Sequence, residues 1–216
     1  MKINKFLVFI DMTFHECTNL IKSDFQRFGG GNFFFSYWWE ESFHVTFWFR
    51  IGSYILEKYK KCKKWHLVYI IVKLIYKHIQ HKTGIQLPFG TNIGEGLRFF
   101  HHDCIIIAQM STIGKNVSIH QGVTIGRSFN GKRAGVPTIG NSVVIFPGAK
   151  IIGKISIGNN AIIGANAVVV NDVPENAVVG GIPAKIISQD SSKCFNEYWG
   201  HEFSHSYDEK GIDKRY

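Results

Sequence analysis

The stretch Ile139-Gly-Asn-Ser-Val-Val-Ile145-Phe-Pro-Gly-Ala-Lys-Ile151-Ile-Gly-Lys-Ile-Ser-Ile157-Gly-Asn-Asn-Ala-Ile-Ile163-Gly-Ala-Asn-Ala-Val-Val169 carries an aliphatic residue at every sixth position. The same pitch runs earlier through Ile107, Ile113, Ile119 and Ile125. A small or branched residue stands four places after most of these, at Val117, Val123, Val143, Ala149, Ile155, Ala161 and Ala167. Neither a 3.6-residue helix nor a simple alternating strand keeps such a pitch. A solenoid does: short strands end in tight turns, and stacked coils bury a core that no single coil could bury alone. Gly and Asn, frequent between the aliphatic positions, suit turns with positive φ.

The pitch breaks twice. Between Ile125 and Ile139 the segment Arg127-Ser-Phe-Asn-Gly-Lys-Arg-Ala-Gly-Val-Pro-Thr138 intervenes, and a solenoid places such an insertion as a loop on one face. The other irregular stretch, between Ile93 and Ile107, holds Phe99-Phe-His-His-Asp103.

The flanks read differently. Residues 1–90 are rich in aromatics and lysine. Phe47, Ile51, Tyr54 and Ile55, then Leu67, Ile70, Ile71, Leu74 and Ile75, recur at helical spacing. Gly29-Gly-Gly31 interrupts this region, and Pro88 is expected to close it. Residues 188–216 form a polar tail. The expected fold class is therefore α+β: a helical region over 1–90, a parallel solenoid over 91–187 with a protruding loop near 127–138, and a C-terminal tail.

The chain has 216 residues, 45% of them hydrophobic, which excludes a disordered protein. Its formal charge of +9 favours acidic partners. Cys17, Cys62, Cys104 and Cys194 are scattered without CxxC spacing, so reduced thiols in a cytoplasmic protein are expected. Phe6–Ile10 is too short for a signal-peptide core, and Lys73 and Lys77 interrupt the apolar run from Trp65 to Ile79. Between Lys58 and Gly94 there is no acidic residue, while eight lysines alternate with Trp65, Tyr69 and Tyr76. This pattern suits peripheral contact with anionic lipid on the inner face of the plasma membrane, or an oligomer contact. No nucleic-acid motif accompanies it.

The repeat, the ending Val179-Gly-Gly-Ile-Pro-Ala-Lys185 and the segment Gly164-Ala-Asn-Ala-Val-Val resemble the left-handed β-helix acyltransferases of the hexapeptide-repeat superfamily. The helical region, Phe100-His-His-Asp-Cys-Ile-Ile-Ile107 and Val117-Ser-Ile-His-Gln-Gly-Val-Thr-Ile-Gly126 are most similar to the serine acetyltransferase branch. The resemblance implies a left-handed coil, a homotrimer (with further pairing of trimers through residues 1–90 left open) and acetyl-CoA as donor. It covers residues 40 to 187. Two positions depart from serine acetyltransferase. Phe100 stands where that enzyme has an Asp, and Arg133-Ala-Gly-Val-Pro137 stands where its loop carries a second His. The segment from Gly131 to Gly140 instead resembles the branch that O-acetylates surface polysaccharides. The expected acceptor is accordingly a sugar hydroxyl of capsule, O-antigen or exopolysaccharide. Serine O-acetylation in cysteine biosynthesis is the alternative, and a non-catalytic glycan-binding β-helix the third reading.

Acetyl transfer to a hydroxyl needs a base, an oxyanion donor and a groove for CoA. A histidine titrates near neutral pH and suits the base. The resemblance places His101 on the catalytic position, with His102 as the alternative if the irregular coil shifts by one. Backbone N–H groups in the turns are candidate oxyanion donors. His120 follows an inward Ile119 and is expected to point outward, stacked on His102 if three repeats make a coil; it is a candidate on the acceptor side. Arg127, Lys132 and Arg133 are candidates for steering an anionic acceptor. Pro147, Ala165 and Pro183 recur at one coil's spacing and match the family's pantetheine contacts. Lys185 matches the basic residue that pairs with a CoA phosphate, and Asn171 falls where relatives often carry Lys. No His-x4-His spacing occurs, so no metal is expected.

Overall fold

The structure is a computed structural model that describes residues 12–28 and 32–194. The run Phe6–Ile10, the Gly29–Gly31 break and the tail beyond residue 194 lie outside the described residues.

Among the described residues, four α-helices come first: α1 (Phe14–Arg27), α2 (Phe33–Trp39), α3 (Glu41–Lys61) and α4 (His66–Thr83). Thr13 starts α1 with a capping box. Its hydroxyl accepts from the Glu16 N–H, while the Glu16 carboxylate accepts from the Thr13 N–H. Cys17, Ile21 and Phe43 bury the contact between α1 and α3 beneath a cluster of Phe rings.

Gly84, in the left-handed conformation at φ 65°, ends α4 and turns the chain into the solenoid. The first strand, β1 (Ile85–Gln86), therefore precedes the boundary at Thr91 expected from the sequence, and Pro88 lies inside the first coil. The strands form three parallel sheets. One holds β1, β4 (Ile105–Ile107), β7 (Thr124–Gly126), β10 (Lys150–Ile152) and β13 (Val168–Val169). The second holds β2 (Asn92–Ile93), β5 (Thr112–Ile113), β8 (Thr138–Ile139) and β11 (Ser156–Ile157). The third holds β3 (Arg98–Phe99), β6 (Ser118–Ile119), β9 (Val144–Ile145), β12 (Ile162–Ile163) and β14 (Val178–Gly181), and the antiparallel β15 (Ala184–Ser188) closes its end.

The six-residue positions point inward as the sequence predicts. Ile93, Ile113, Ile139 and Ile157 stack in register in the second sheet, and Phe99, Ile119, Ile145, Ile163 and Val179 in the third. All are buried. The turn residues divide into two physical roles. Asn116 adopts φ 56° and is a true left-handed position. Gly114 does not need that freedom. A Cβ there would lie 2.6 Å from the Gly140 carbonyl carbon of the next coil, so its role is close approach of backbones.

The helices are fastened to the first coil by a buried ion pair. Arg50 of α3 donates through Nε to Asp24 Oδ2 at 2.8 Å and through Nη2 to Oδ1 at 3.1 Å. The same guanidinium donates to the Ile93 and Gly94 carbonyls, and the Leu97 N–H donates to Asp24 Oδ1. Burial pushes the Asp24 carboxyl above its ordinary value, against the pull of Arg50. On α4, Val72 and Tyr76 face the solenoid; the Tyr76 hydroxyl donates to the Leu87 carbonyl at 2.7 Å.

Candidate active site

The corner between the third and first sheets carries the residues on which the chemistry was expected. The ladder of that sheet sets their order. Phe100 N–H donates to the Ile119 carbonyl, His120 N–H to the Ile145 carbonyl and Phe146 N–H to the Ile163 carbonyl. Three consecutive coils thus place Phe100, His120 and Phe146 in one column. The Phe100 and His120 rings stack with centroids 4.6 Å apart, and those of His120 and Phe146 lie 5.2 Å apart. Arg98 caps the column, its guanidinium 4.0 Å from the Phe100 centroid.

This corrects the expectation for His120. It is buried, and its neighbour in the preceding coil is Phe100, not His102. The reason is coil length: the coil from Phe99 to Ile119 takes twenty residues rather than eighteen. His120 Nδ1 lies 3.0 Å from the Ile145 carbonyl, which fixes that nitrogen as the donor and leaves Nε2 as an acceptor. Burial, with His101 and Arg98 nearby, lowers its pKa and favours the neutral ring. Phe146 had no functional reading from sequence, and Phe100 was read only as a departure from serine acetyltransferase, not as a ring stacked on His120. Their signal was the position directly after an inward aromatic or Ile of the third sheet.

The two adjacent histidines separate. His101 is exposed at the corner beside His120. His102 turns toward the helices, its Nε2 3.7 Å from Glu41 Oε2. Lys82, 2.8 Å from the same carboxylate, holds Glu41 below its ordinary value, aided by His102. The turn that presents them is tight, since Asp103 and Cys104 both have positive φ. It is pinned on two sides: the Asp103 N–H donates to the Thr83 carbonyl, and the Gly122 N–H donates to the Asp103 carbonyl.

Pro147 and Ala165 share this corner, in register through Ile145 and Ile163, and the Asn166 N–H donates to the Pro147 carbonyl. Pro183 does not join them. The last coil runs from Ile163 to Val179 in sixteen residues, so Gly181 follows Ala165 in register, and Pro183 lies in the turn between β14 and β15. Lys185 is exposed on β15, opposite Gly180.

The loop lies at the other edge of the first sheet, between β7 and β8, so one chain does not bring it to His101. Ser128 and Gly135 exchange backbone hydrogen bonds and close it as a small hairpin. Lys132 is exposed. Arg127 lies over the exposed Phe129 ring. Arg133 is engaged with Asp172, 3.2 Å from both carboxylate oxygens, and its carbonyl accepts from the Lys154 N–H. Asp172 also accepts from the Ser156 N–H, which with Arg133 holds its carboxyl below the ordinary value. Asn171 is exposed beside this contact, on the loop's corner and away from Pro147. Among the described residues, no three His, Cys, Asp or Glu side chains are grouped to hold a metal ion.

The repeat, the three sheets and this corner define a hexapeptide-repeat transferase. Residues 137–171 match the family described as bacterial transferase hexapeptide (six repeats). The serine acetyltransferase of Helicobacter pylori strain J99 is 40% identical over 124 residues, 56% of this chain and 71% of that protein. That of Staphylococcus xylosus is 39% identical over 149 residues, 69% of this chain and 64% of that protein. The chain thus spans somewhat less than two thirds of the length of the staphylococcal relatives it matches. Among solved structures, Neisseria gonorrhoeae serine acetyltransferase in complex with serine superposes with TM-score 0.67 at 26% identity, over 82% of this chain and 72% of that one. A serine acetyltransferase in complex with CoA gives TM-score 0.66 at 28% identity, over 80% and 70%. The chain belongs to the hexapeptide-repeat acyltransferase family, the left-handed β-helix group whose members here are serine acetyltransferases.

These matches correct the expected acceptor. The surface-polysaccharide reading rested on Phe100 and on the basic loop, but the relatives at 37–40% identity are serine acetyltransferases. The structure removes part of its physical basis as well: the Arg133 guanidinium, counted toward an anionic glycan, is held by Asp172.

Proposed function

We propose that the protein is an acetyl-CoA-dependent serine O-acetyltransferase with His101 as general base. His101 takes the proton of the serine hydroxyl as its oxygen attacks the thioester carbonyl. The tetrahedral intermediate collapses, the C–S bond breaks, and the departing sulfur receives the proton held on His101. Backbone N–H groups at the corner stabilise the oxyanion. The relatives' bound serine and CoA support the substrate pair.

One observation carries the reading: the exposed His101 stands on the same corner as Pro147 and Ala165, in a chain whose relatives are serine acetyltransferases. Small residues on that corner leave room for a pantetheine arm running along the solenoid. Lys185 is the proposed CoA phosphate contact, and Asn171, on the loop's corner, joins it only from a second subunit. Pro183 reaches that arm only from the β14–β15 turn. Phe100 leaves no carboxylate directly before His101, so the neutral Nε2 of His120 is the neighbouring acceptor that orients it. His102, paired with Glu41, has a positioning role in the turn. Lys132, on the loop across the first sheet, meets a substrate only if a second subunit brings the loop to the corner, as in the homotrimer that the family resemblance implies. The cytoplasm is the setting for such an enzyme, and among the described residues no helix is long and apolar enough to cross a membrane.

The experiment is direct. Incubated with acetyl-CoA and L-serine, the full chain should release free CoA thiol and form O-acetylserine, detected by mass spectrometry. Thiol release that ignores serine would overturn the acceptor. Absence of both CoA binding and transfer would overturn the enzyme reading.

A further inference from the structure

Helix α4 is apolar on two sides, and the described residues cover only one. Tyr69, Val72, Tyr76 and Ile79 pack on the solenoid and α3. The opposite side carries Leu67, Ile70, Ile71, Leu74 and Ile75, spaced as one continuous helical stripe. Leu67 is 68% exposed, Ile71 50% and Leu74 63%. Scattered exposed leucines need no explanation, but a contiguous stripe of this kind marks a surface that something covers.

The charges around the stripe select what covers it. Lys73 and Lys77 run along one margin of the stripe, and Lys63 and Lys64 stand exposed at the end where the helix begins. Trp65, 37% exposed, sits between those lysines and Leu67. No acidic residue occurs from Lys58 through Gly94. Two copies of α4 packed face to face would bring these lysines and His66, His78 and His81 together without a carboxylate from either helix. An anionic bilayer instead takes the apolar stripe among its acyl chains, the Trp at the interface and the lysines among its headgroups.

We propose that the outward face of α4 docks the protein on anionic phospholipid membrane. The helix lies in the interface and does not span it, in keeping with the absence of a spanning helix among the described residues. This attachment is independent of the acetyl-transfer reading, since the face lies on the helical region and not at the His101 corner.

The test is flotation of the full chain with phosphatidylcholine vesicles, with and without about one third phosphatidylglycerol, at low and high salt. The protein should float with the anionic vesicles at low salt and remain at the bottom with neutral ones. Lys73→Gln with Lys77→Gln should weaken partitioning roughly thirtyfold, because two lysine charges no longer attract the headgroups. Leu67→Ser with Ile71→Ser and Leu74→Ser should abolish it while circular dichroism shows an unchanged fold. The lysine variant keeps the test decisive if the apolar one does not fold. Equal flotation with neutral vesicles, or none with anionic ones, would overturn the proposal. So would a fall in sedimentation coefficient of the apolar variant without lipid, which would assign the face to a second copy of the chain.

Discussion

The Phe100 and His120 rings lie face to face, 4.6 Å between centroids and 6° from parallel, although the sequence separates them by one full coil. The stack buries His120 beside the exposed His101 and lowers its pKa, burial being the largest cause.

That shift has a signed consequence for stability. A histidine whose folded pKa lies below its unfolded value of about 6.5 binds its proton more readily when unfolded. Its neutral form costs nothing above that value, and stability falls as pH drops from about 6.5 toward the lower folded pKa. Urea unfolding from pH 7.5 down to 5.5 should show this loss. His120→Phe, which keeps a flat ring in the stack, should show a shallower one. Identical slopes for the two proteins would contradict the burial argument.

His101→Ala should lower kcat for serine acetylation by on the order of 10²–10⁴, with KM for acetyl-CoA little changed, because only proton transfer is removed. His102→Ala should stay within a few-fold of the parent, since His102 faces Glu41. Steady-state kinetics of both variants check the assignment. A large loss in His102→Ala with full activity in His101→Ala would reverse it.

Two ion pairs of the same chemistry should respond very differently to removal. Asp24→Ala leaves the Arg50 charge buried and should cost about 3–5 kcal/mol by chemical denaturation. Arg133→Ala breaks a pair that water screens, and should cost less than about 1 kcal/mol. Equal losses would mean that burial is not what separates them.

Gly114→Ala should destabilise by about 1–3 kcal/mol, because its methyl would meet the Gly140 backbone at 2.6 Å and force two coils apart. Thermal unfolding monitored by circular dichroism reads the loss. A neutral result would show that the coil spacing yields more easily than close-packed backbone should.

Only part of the site is legible in the residues themselves. The shared register of Pro147 and Ala165 was legible because both lie within a stretch of regular pitch, whereas His101 was singled out by the family resemblance. Pro183 and His120 were misplaced, since both assignments assumed one coil length throughout. The coils linking Phe99, Ile119, Ile145, Ile163 and Val179 take twenty, twenty-six, eighteen and sixteen residues in turn. Each change of length shifts which residues meet; the breaks in pitch show where the coils lengthen but not which residues then face each other.

By itself, the sequence determined that the chain winds as a solenoid and which side chains fill it. An aliphatic residue every sixth position leaves one way to bury the repeat, and that constraint is local. Which corner residues meet, that Arg133 answers to Asp172, and which side of α4 the described residues leave exposed were decided by the tertiary structure. Those contacts join residues from different coils and helices. Their partners depend on coil lengths, on the Asp24–Arg50 anchor and on the turn at Gly84, none of which the repeat encodes.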